Sequence, residues 1–338
     1  MRNGKPSDLD RILASLEAPV LIISTHVGRG MFYLGEALRE HFPHPGQVEH
    51  IPIEAVLPPR AVREDLKRYK FIANRLTPLL YLIYKCPLFY YRKYLREKRL
   101  RAADLSALEE RITGAGIRTV VCISHRAAFW TSSLKFRRRL GFRLWDLLGE
   151  FGHNHGYRYL FWDVMDGFLS PLDPEELRIP FPVHVRFEKI ALPARRAFVD
   201  LAARPGDRRR VLLVCGYWGQ GPILKVLRRL LAVVPDLTIH TVCGENRLQY
   251  EKVAAYARTR PGVEAHGTVE SLAPLMAECG TVITKPGIST LVEAHAAGRR
   301  IFLLKGMPVA EDNNARYARE HFGAEWYRPE RLKEWCEG

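Results

Sequence analysis

The sequence predicts an α/β protein built as two doubly wound domains, and three observations point there. Short apolar runs alternate with helical patterns, as parallel strands joined by crossover helices do. The alternation occurs twice, broken by a Pro-, Arg- and Ala-rich stretch at 180–207. The chain has 338 residues, long for one domain, and 47% of them are hydrophobic, enough for two cores and too many for a disordered chain.

In the first half, APVLIIS (18–24) reads as a strand, GEALREHF (35–42) as part of a helix and IRTVVCIS (117–124) as a second strand. The runs at 143–151 and 157–162 fit either type. In the second half, RVLLVC (210–215), LTIHTVC (237–243), 281–284 and 300–304 read as buried parallel strands, which lack polar alternation because both faces are covered. Helical patterns at 222–234 and 248–259 lie between them. The domain boundary is placed at 185/186, giving domains of 1–185 and 186–338.

Both halves open with a strand, a glycine-containing loop and a helix: LIISTHVGRGMFYLGEAL, with Gly28 and Gly30, and VLLVCGYWGQGPILKVL, with Gly216, Gly219 and Gly221. Glycine lets backbone amides approach a phosphate, and a helix N-terminus adds partial positive charge. Neither loop is a full GxGxxG fingerprint, and glycine turns after strands are also ordinary loop chemistry. A third stretch, TKPGISTLVEAHAAG (284–298), has two readings. Free amides with Ser289 and Thr290 at a helix start suit a diphosphate, and Glu293 one turn in suits the two hydroxyls of a ribose. Alternatively, Ser289 or Thr290 caps the helix and Glu293 is its capping acid.

Six scattered cysteines form no CxxC pair, so a reduced compartment is expected and a zinc site is not. GHNHG (152–156) offers only His153 and His155, without a third ligand. Net charge is +15, and segment 60–101 carries 13 Lys/Arg against three acids, a net of +10. Its partner should be anionic. The segment mixes Arg75, Arg92 and Lys93 with Tyr81, Tyr84 and Tyr90, which suits an anionic membrane surface. A helical hairpin with a solvated basic face is the alternative. No nucleic-acid module accompanies the charge, so nucleic acid is not an expected partner. The apolar run at 76–91 is 16 residues long and broken by Pro78 and Pro87, too short to span a bilayer. The N-terminus shows no secretory h-region. The expected place is therefore the cytoplasm, peripherally on the inner membrane face.

The second half resembles the donor domain of GT-B-fold glycosyltransferases. The resemblance is to the group of monogalactosyldiacylglycerol synthases, bacterial diacylglycerol glucosyltransferases and the lipid II N-acetylglucosaminyltransferase. It runs through GYWGQGPI (216–223), VCGEN (242–246), HGTVESLAPLMAECGTVITKPGISTLVEAHAAG (266–298) and MPVAEDNNARY (307–317). In the first half, S-x-x-x-G-x-G (24–30), the ISH at 123–125 and ALPARRAF (191–198) fall where that family has motifs.

The resemblance implies two Rossmann-like domains facing a central cleft. It also implies inverting, metal-independent transfer of a sugar from a UDP donor to a lipid or lipid-linked acceptor, with no cofactor. Gly216, Gly219 and Gly221, like Gly28 and Gly30, would approach the donor. Val269 would read the base through its backbone. Pro286 and Gly287 form the phosphate loop, with the hydroxyls of Ser289 and Thr290. Glu293 would hold the ribose, and Arg195 would face the diphosphate. Glu311, Asp312, Asn313 and Asn314 would meet the sugar, although Ala310 stands where the family commonly has Gln. The first glycine loop departs further: Met31 replaces the family's histidine, and Arg29 replaces a glycine. Methionine is no base, so the expected base is Glu150, with His125 and His26 as the other candidates. A soluble transferase acting on a small-molecule acceptor, and a non-catalytic nucleotide-sugar-binding subunit, are the alternative readings.

Overall fold

A computed structural model describes residues 8–59, 62, 63, 67, 105–152, 155–179, 181–306 and 309–338. The basic aromatic segment, with Arg75, Tyr81, Tyr84, Tyr90, Arg92 and Lys93, lies outside the described residues, as does His153. The chain forms two compact units, Met1–Pro193 with Met307–Ala310, and Ala194–Gly306 with Glu311–Gly338.

In the first unit, helix α1 (Asp8–Ala14) precedes β1 (Val20–Ser24), α2 (Gly30–His41) and β2 (Val48–Pro52). Beyond the undescribed segment come α3 (Ser106–Gly114), β3 (Thr119–Cys122), α4 (His125–Arg138) and β4 (Arg143–Leu147). β5 (Gly167–Ser170), the single turn α5 (Pro174–Leu177) and β6 (Arg186–Lys189) complete it. The six strands are parallel in the order β2-β1-β3-β4-β5-β6. β1 and β3 are buried at every residue, which explains their unbroken apolar sequences. Because β6 pairs with β5, the first sheet extends past the sequence-based 185/186 boundary. Of the two ambiguous runs, 143–151 begins with β4, whereas 157–162 contributes to short 3-10 turns at His155–Tyr159 and Trp162–Val164.

The second unit runs through α6 (Arg196–Val199), β7 (Asp207–Val214), α7 (Ile223–Val233), β8 (Thr238–Val242), α8 (Arg247–Ala257) and β9 (Val263–His266). It continues through α9 (Ala273–Glu278), β10 (Cys279–Thr284), α10 (Ile288–Ala296), β11 (Arg300–Leu303), α11 (Ala310–His321), β12 (Glu325–Trp326) and α12 (Pro329–Glu337). The parallel sheet is ordered β12-β11-β10-β7-β8-β9, the dinucleotide-fold order. Its core has two layers. Val211 and Leu213 pack with Ile223, Leu227 and Val253 on one face, and Leu212 and Val214 with Met276, Leu291 and Ala318 on the other.

Each sheet has one switch point. Strand order reverses between β1 and β3 in one sheet and between β7 and β10 in the other. At such a switch point the loops leaving the C-terminal strand ends diverge and open a crevice. The first glycine loop and ISH follow β1 and β3, and GYWGQGPI and the 284–298 stretch follow β7 and β10.

Candidate functional site

In the second unit the switch point is lined by the loop after β7 and the loop after β10. The latter is Lys285-Pro286-Gly287, leading into α10. Gly287 is the N-cap, and no side chain caps the helix. Of the two readings of this stretch, the capping one therefore fails: Ser289 and Thr290 lie inside the first turn, and Glu293 lies beyond it. The first amides of α10 have no partner within the helix, and the dipole concentrates positive potential there. A Cβ at Gly287 would meet open space, so a ligand can approach this backbone.

The three glycines after β7 divide by role. Gly216 has φ +74° and open space around its missing Cβ. Gly219 has φ +58°, and a Cβ there would collide with the Cys243 carbonyl; a Cβ at Gly221 would collide with the Cys215 side chain. Gly216 is thus open to a ligand, while Gly219 and Gly221 allow close packing. The loop is fastened to the VCGEN stretch: the Glu245 amide donates to the Tyr217 carbonyl at 2.8 Å, and the Asn246 side chain donates to the Gly219 carbonyl at 3.2 Å. Burial pushes the Cys215 thiol up to about 12, so it is no nucleophile at neutral pH.

Glu293 is buried, at 4% exposure, and accepts a 2.7 Å bond from Arg195 Nε. Arg195 precedes α6, and its guanidinium also lies 4.9 Å from the Phe198 ring centre. The residues expected to serve ribose and diphosphate are thus direct partners of each other. Asn314 is buried and donates to the Pro286 carbonyl at 3.1 Å, so it buttresses the Lys285–Gly287 loop. Glu311 lies against Gly306, which also approaches Pro286, whereas Asp312 is exposed. Val269 packs half-buried against the core beside Leu272.

In the first unit, the switch-point loops bring Gly28, Arg29, Gly30 and Met31 to the same sheet edge as His125 and Glu150. A Cβ at Gly149 would collide with the Met31 sulfur, and Ile123 also touches this position. The loop after β4, which carries Glu150, is therefore pressed onto Met31. Glu54 was not anticipated from sequence. Its carboxylate accepts from the Thr25 hydroxyl at 2.5 Å and from the His26 amide at 3.0 Å. Partial desolvation, with Arg29 and His50 adding to it and Glu54 opposing, holds the His26 imidazole below its usual range. The shift favours the neutral imidazole at pH 7. His125 begins α4, which Ser124 caps by accepting from the Ala127 amide at 3.3 Å. Ser124 has φ +144°, a strained backbone at the site's edge. A buried chain, Ser24 Oγ to His50 Nε2 at 2.8 Å and His50 Nδ1 to Glu36, has the composition of a catalytic relay. Ser24 is fully buried within β1, so it braces β1 on β2 and reaches no substrate.

Two more groups were invisible in the sequence. Asp146 on β4 is fully buried, and burial pushes its carboxyl up to about 8, against the pull of Tyr157 and the Ser124 backbone. His240, Glu264 and His266 converge on the β8–β9 edge. In the basic stretch 135–143, Lys135 pairs with Asp166, Arg138 with Glu109, and Arg143 with Asp166 and Glu17. Among the described residues, no helix is long and apolar enough to cross a membrane.

No family model matches the chain. It is 23% identical over 317 residues to a processive diacylglycerol beta-glucosyltransferase of Bacillus thuringiensis (strain Al Hakam), covering 88% of this chain and 79% of that one. The fold matches the glycotransferase of kitacinnamycin with a TM-score of 0.59 at 13% identity, over 94% of this chain and 90% of that one. It matches Acinetobacter baumannii MurG with a TM-score of 0.51 at 15% identity, over 93% and 88%. The fold is GT-B, and the curated relatives it resembles along most of its length are lipid glycosyltransferases.

Proposed function

We propose that this glycosyltransferase of the GT-B type moves a sugar from a UDP donor to a lipid acceptor, with inversion at the anomeric carbon. The observation that carries the reading is the uncapped N-terminus of α10 at the β7/β10 switch point, with Gly216 and Gly287 open and the Arg195–Glu293 pair close behind. The donor's diphosphate would lie on the α10 amides, and its ribose against Glu293. Arg195 would orient that carboxylate and lend its charge to the departing UDP. The uracil would meet the Val269 backbone, and the sugar the start of α11. This chemistry is electrostatic and routes no step through a metal.

In the reaction, the acceptor hydroxyl oxygen forms a bond to the anomeric carbon from the face opposite UDP. The bond from that carbon to the diphosphate oxygen breaks, and the hydroxyl proton passes to a protein base. Glu150 is the proposed base, because its loop is pressed onto Met31, where the family's histidine would stand. His26 and His125 lie on the same sheet edge. The basic tyrosine-rich segment 60–101 would hold the enzyme against an anionic membrane, where a diacylglycerol-type acceptor resides.

Calorimetric titration with UDP, GDP and ADP tests the donor site. Preferred UDP binding is expected, and no binding of any of the three refutes the donor reading. Transfer from UDP-sugars to diacylglycerol in anionic vesicles tests the acceptor. In that assay Glu150→Gln should lower kcat about 10²- to 10⁴-fold with donor KM little changed. An unchanged kcat moves the role of base to His26 or His125.

A further inference from the structure

The register of β8 and β9 sets His240 opposite Glu264 and Val242 opposite His266. Strand side chains alternate, so His240, Glu264 and His266 share one face of the sheet. His240 Nδ1 lies 3.2 Å from Glu264 Oε2 and 3.4 Å from His266 Nε2, and His266 Nε2 lies 3.8 Å from Glu264 Oε2. Three donor atoms thus form a small triangle. An ion bound tetrahedrally at about 2.0–2.1 Å sets its ligands about 3.3 Å apart, so the triangle already has nearly the required size.

We propose that His240 Nδ1, His266 Nε2 and Glu264 Oε2 bind one zinc-class divalent cation at the β8–β9 edge. Two imidazoles and a carboxylate are a borderline-soft donor set that favours zinc over magnesium or calcium. The His240 side chain is 4% exposed, and its other nitrogen, Nε2, has no hydrogen-bond partner. It lies 3.7 Å from the carboxylate of Glu278, at the end of α9. With Nδ1 on the ion, the proton sits on Nε2 and faces that carboxylate, the outer-shell arrangement that orients metal-bound histidines. Glu264 is exposed and His266 half-buried, which leaves the fourth position to water and an entry path from solvent.

The ion would sit between two strands of the second sheet. It would clamp edge strand β9 to β8 just before the 267–272 loop, which carries Val269. The consequence for the base-binding loop rests on the proposed function; the metal site does not.

The test uses the full chain stripped with chelator. Cobalt(II) titration should give one equivalent with a tetrahedral visible band, and zinc should displace it. Glu264→Gln and His266→Gln, both at solvent-reached positions, should each lose that equivalent, while His321→Gln, outside the cluster, keeps it. No saturable equivalent in the wild type, or one that survives in both cluster variants, overturns the site. A measurement on unaltered protein guards against variants that fail to fold. Nitrogen-15 shifts of the 12 histidines should move for two rings on adding zinc; shifts in neither His240 nor His266 refute the proposal. UDP affinity, measured separately, reports on the donor site alone.

Discussion

Among the described residues each unit buries one carboxyl group, Asp146 in the first and Glu293 in the second, and the two are handled in opposite ways. Glu293 has a cation: Arg195 donates to it at 2.7 Å. Asp146 forms no ion pair among the described residues, and burial pushes its carboxyl up to about 8. A paired acid stays ionised and is sensitive to loss of its partner. A lone buried acid stays protonated and is sensitive to pH. One unit should therefore be broken by mutation and the other by titration.

The largest effect falls on Asp146. An unfolded aspartate titrates near pH 4, so between about pH 4 and 8 the unfolded chain has released a proton that the native chain retains. Stability then falls as pH rises through that window, by about 1.4 kcal/mol per unit and about 5 kcal/mol in all. Below pH 4 both states are protonated and the penalty vanishes. Asp146→Asn keeps the shape without the titration, so it should flatten the urea-melt stability profile between pH 5 and 8 and gain most at pH 8. Parallel profiles for variant and wild type would show that Asp146 ionises normally.

For Glu293, removal of the carboxylate takes away the acceptor of Arg195 Nε, and breaking this largely buried pair should cost up to about 3–5 kcal/mol. Glu293→Ala should lose that much in urea melts. Replacing both partners by apolar residues, Arg195→Met with Glu293→Leu, should recover much of the loss yet fail to bind UDP. A single alanine variant as stable as wild type would mean that the pair is loose in solution.

Smaller still is the contrast within the second glycine loop. Gly219→Ala forces a Cβ onto the Cys243 carbonyl at positive φ and should lower thermal stability along with UDP binding. Gly216→Ala meets open space, so beyond the strain of its own φ it should act chiefly on nucleotide affinity. Equal loss of stability in the two would erase the division of roles.

These contrasts mark what the sequence made legible. β1, β3, β7, β8, β10 and β11 stand out because strands covered on both faces are unbroken apolar runs. β6, with sequence RFEK, does not, because it is an exposed edge strand, and β5 is only four residues long. The glycine loops and the 284–298 stretch were readable as strand-to-helix turns because their glycine spacing is local in the sequence. The Arg195–Glu293 pair spans 98 positions, and Asp146 sits in a short mixed strand, RLWDL, so neither leaves a local trace. The His240 cluster depends on β8–β9 register, which only the folded sheet supplies.

The finest comparison is between the two helices that follow glycine loops, α2 and α10. Neither has a side-chain cap, so both leave first-turn amides open. Their entries differ. α10 starts from Gly287 in an extended conformation that any residue tolerates, whereas α2 starts from Arg29 at φ 60°, ψ −8°. Arg29 holds a left-handed conformation that glycine would adopt freely, at a cost of about 1–2 kcal/mol. Arg29→Gly should therefore relieve the strain and raise the melting temperature, offset in part by the greater freedom of the unfolded chain. It also removes one of the charges that depress the His26 pKa, so that pKa should rise towards its ordinary value. A pH titration of the His26 ring by NMR, beside a thermal melt, reads both. If the melting temperature falls while the His26 pKa still rises, Arg29 holds its loop through contacts worth more than its strain, and the departure from glycine is a stabilising one.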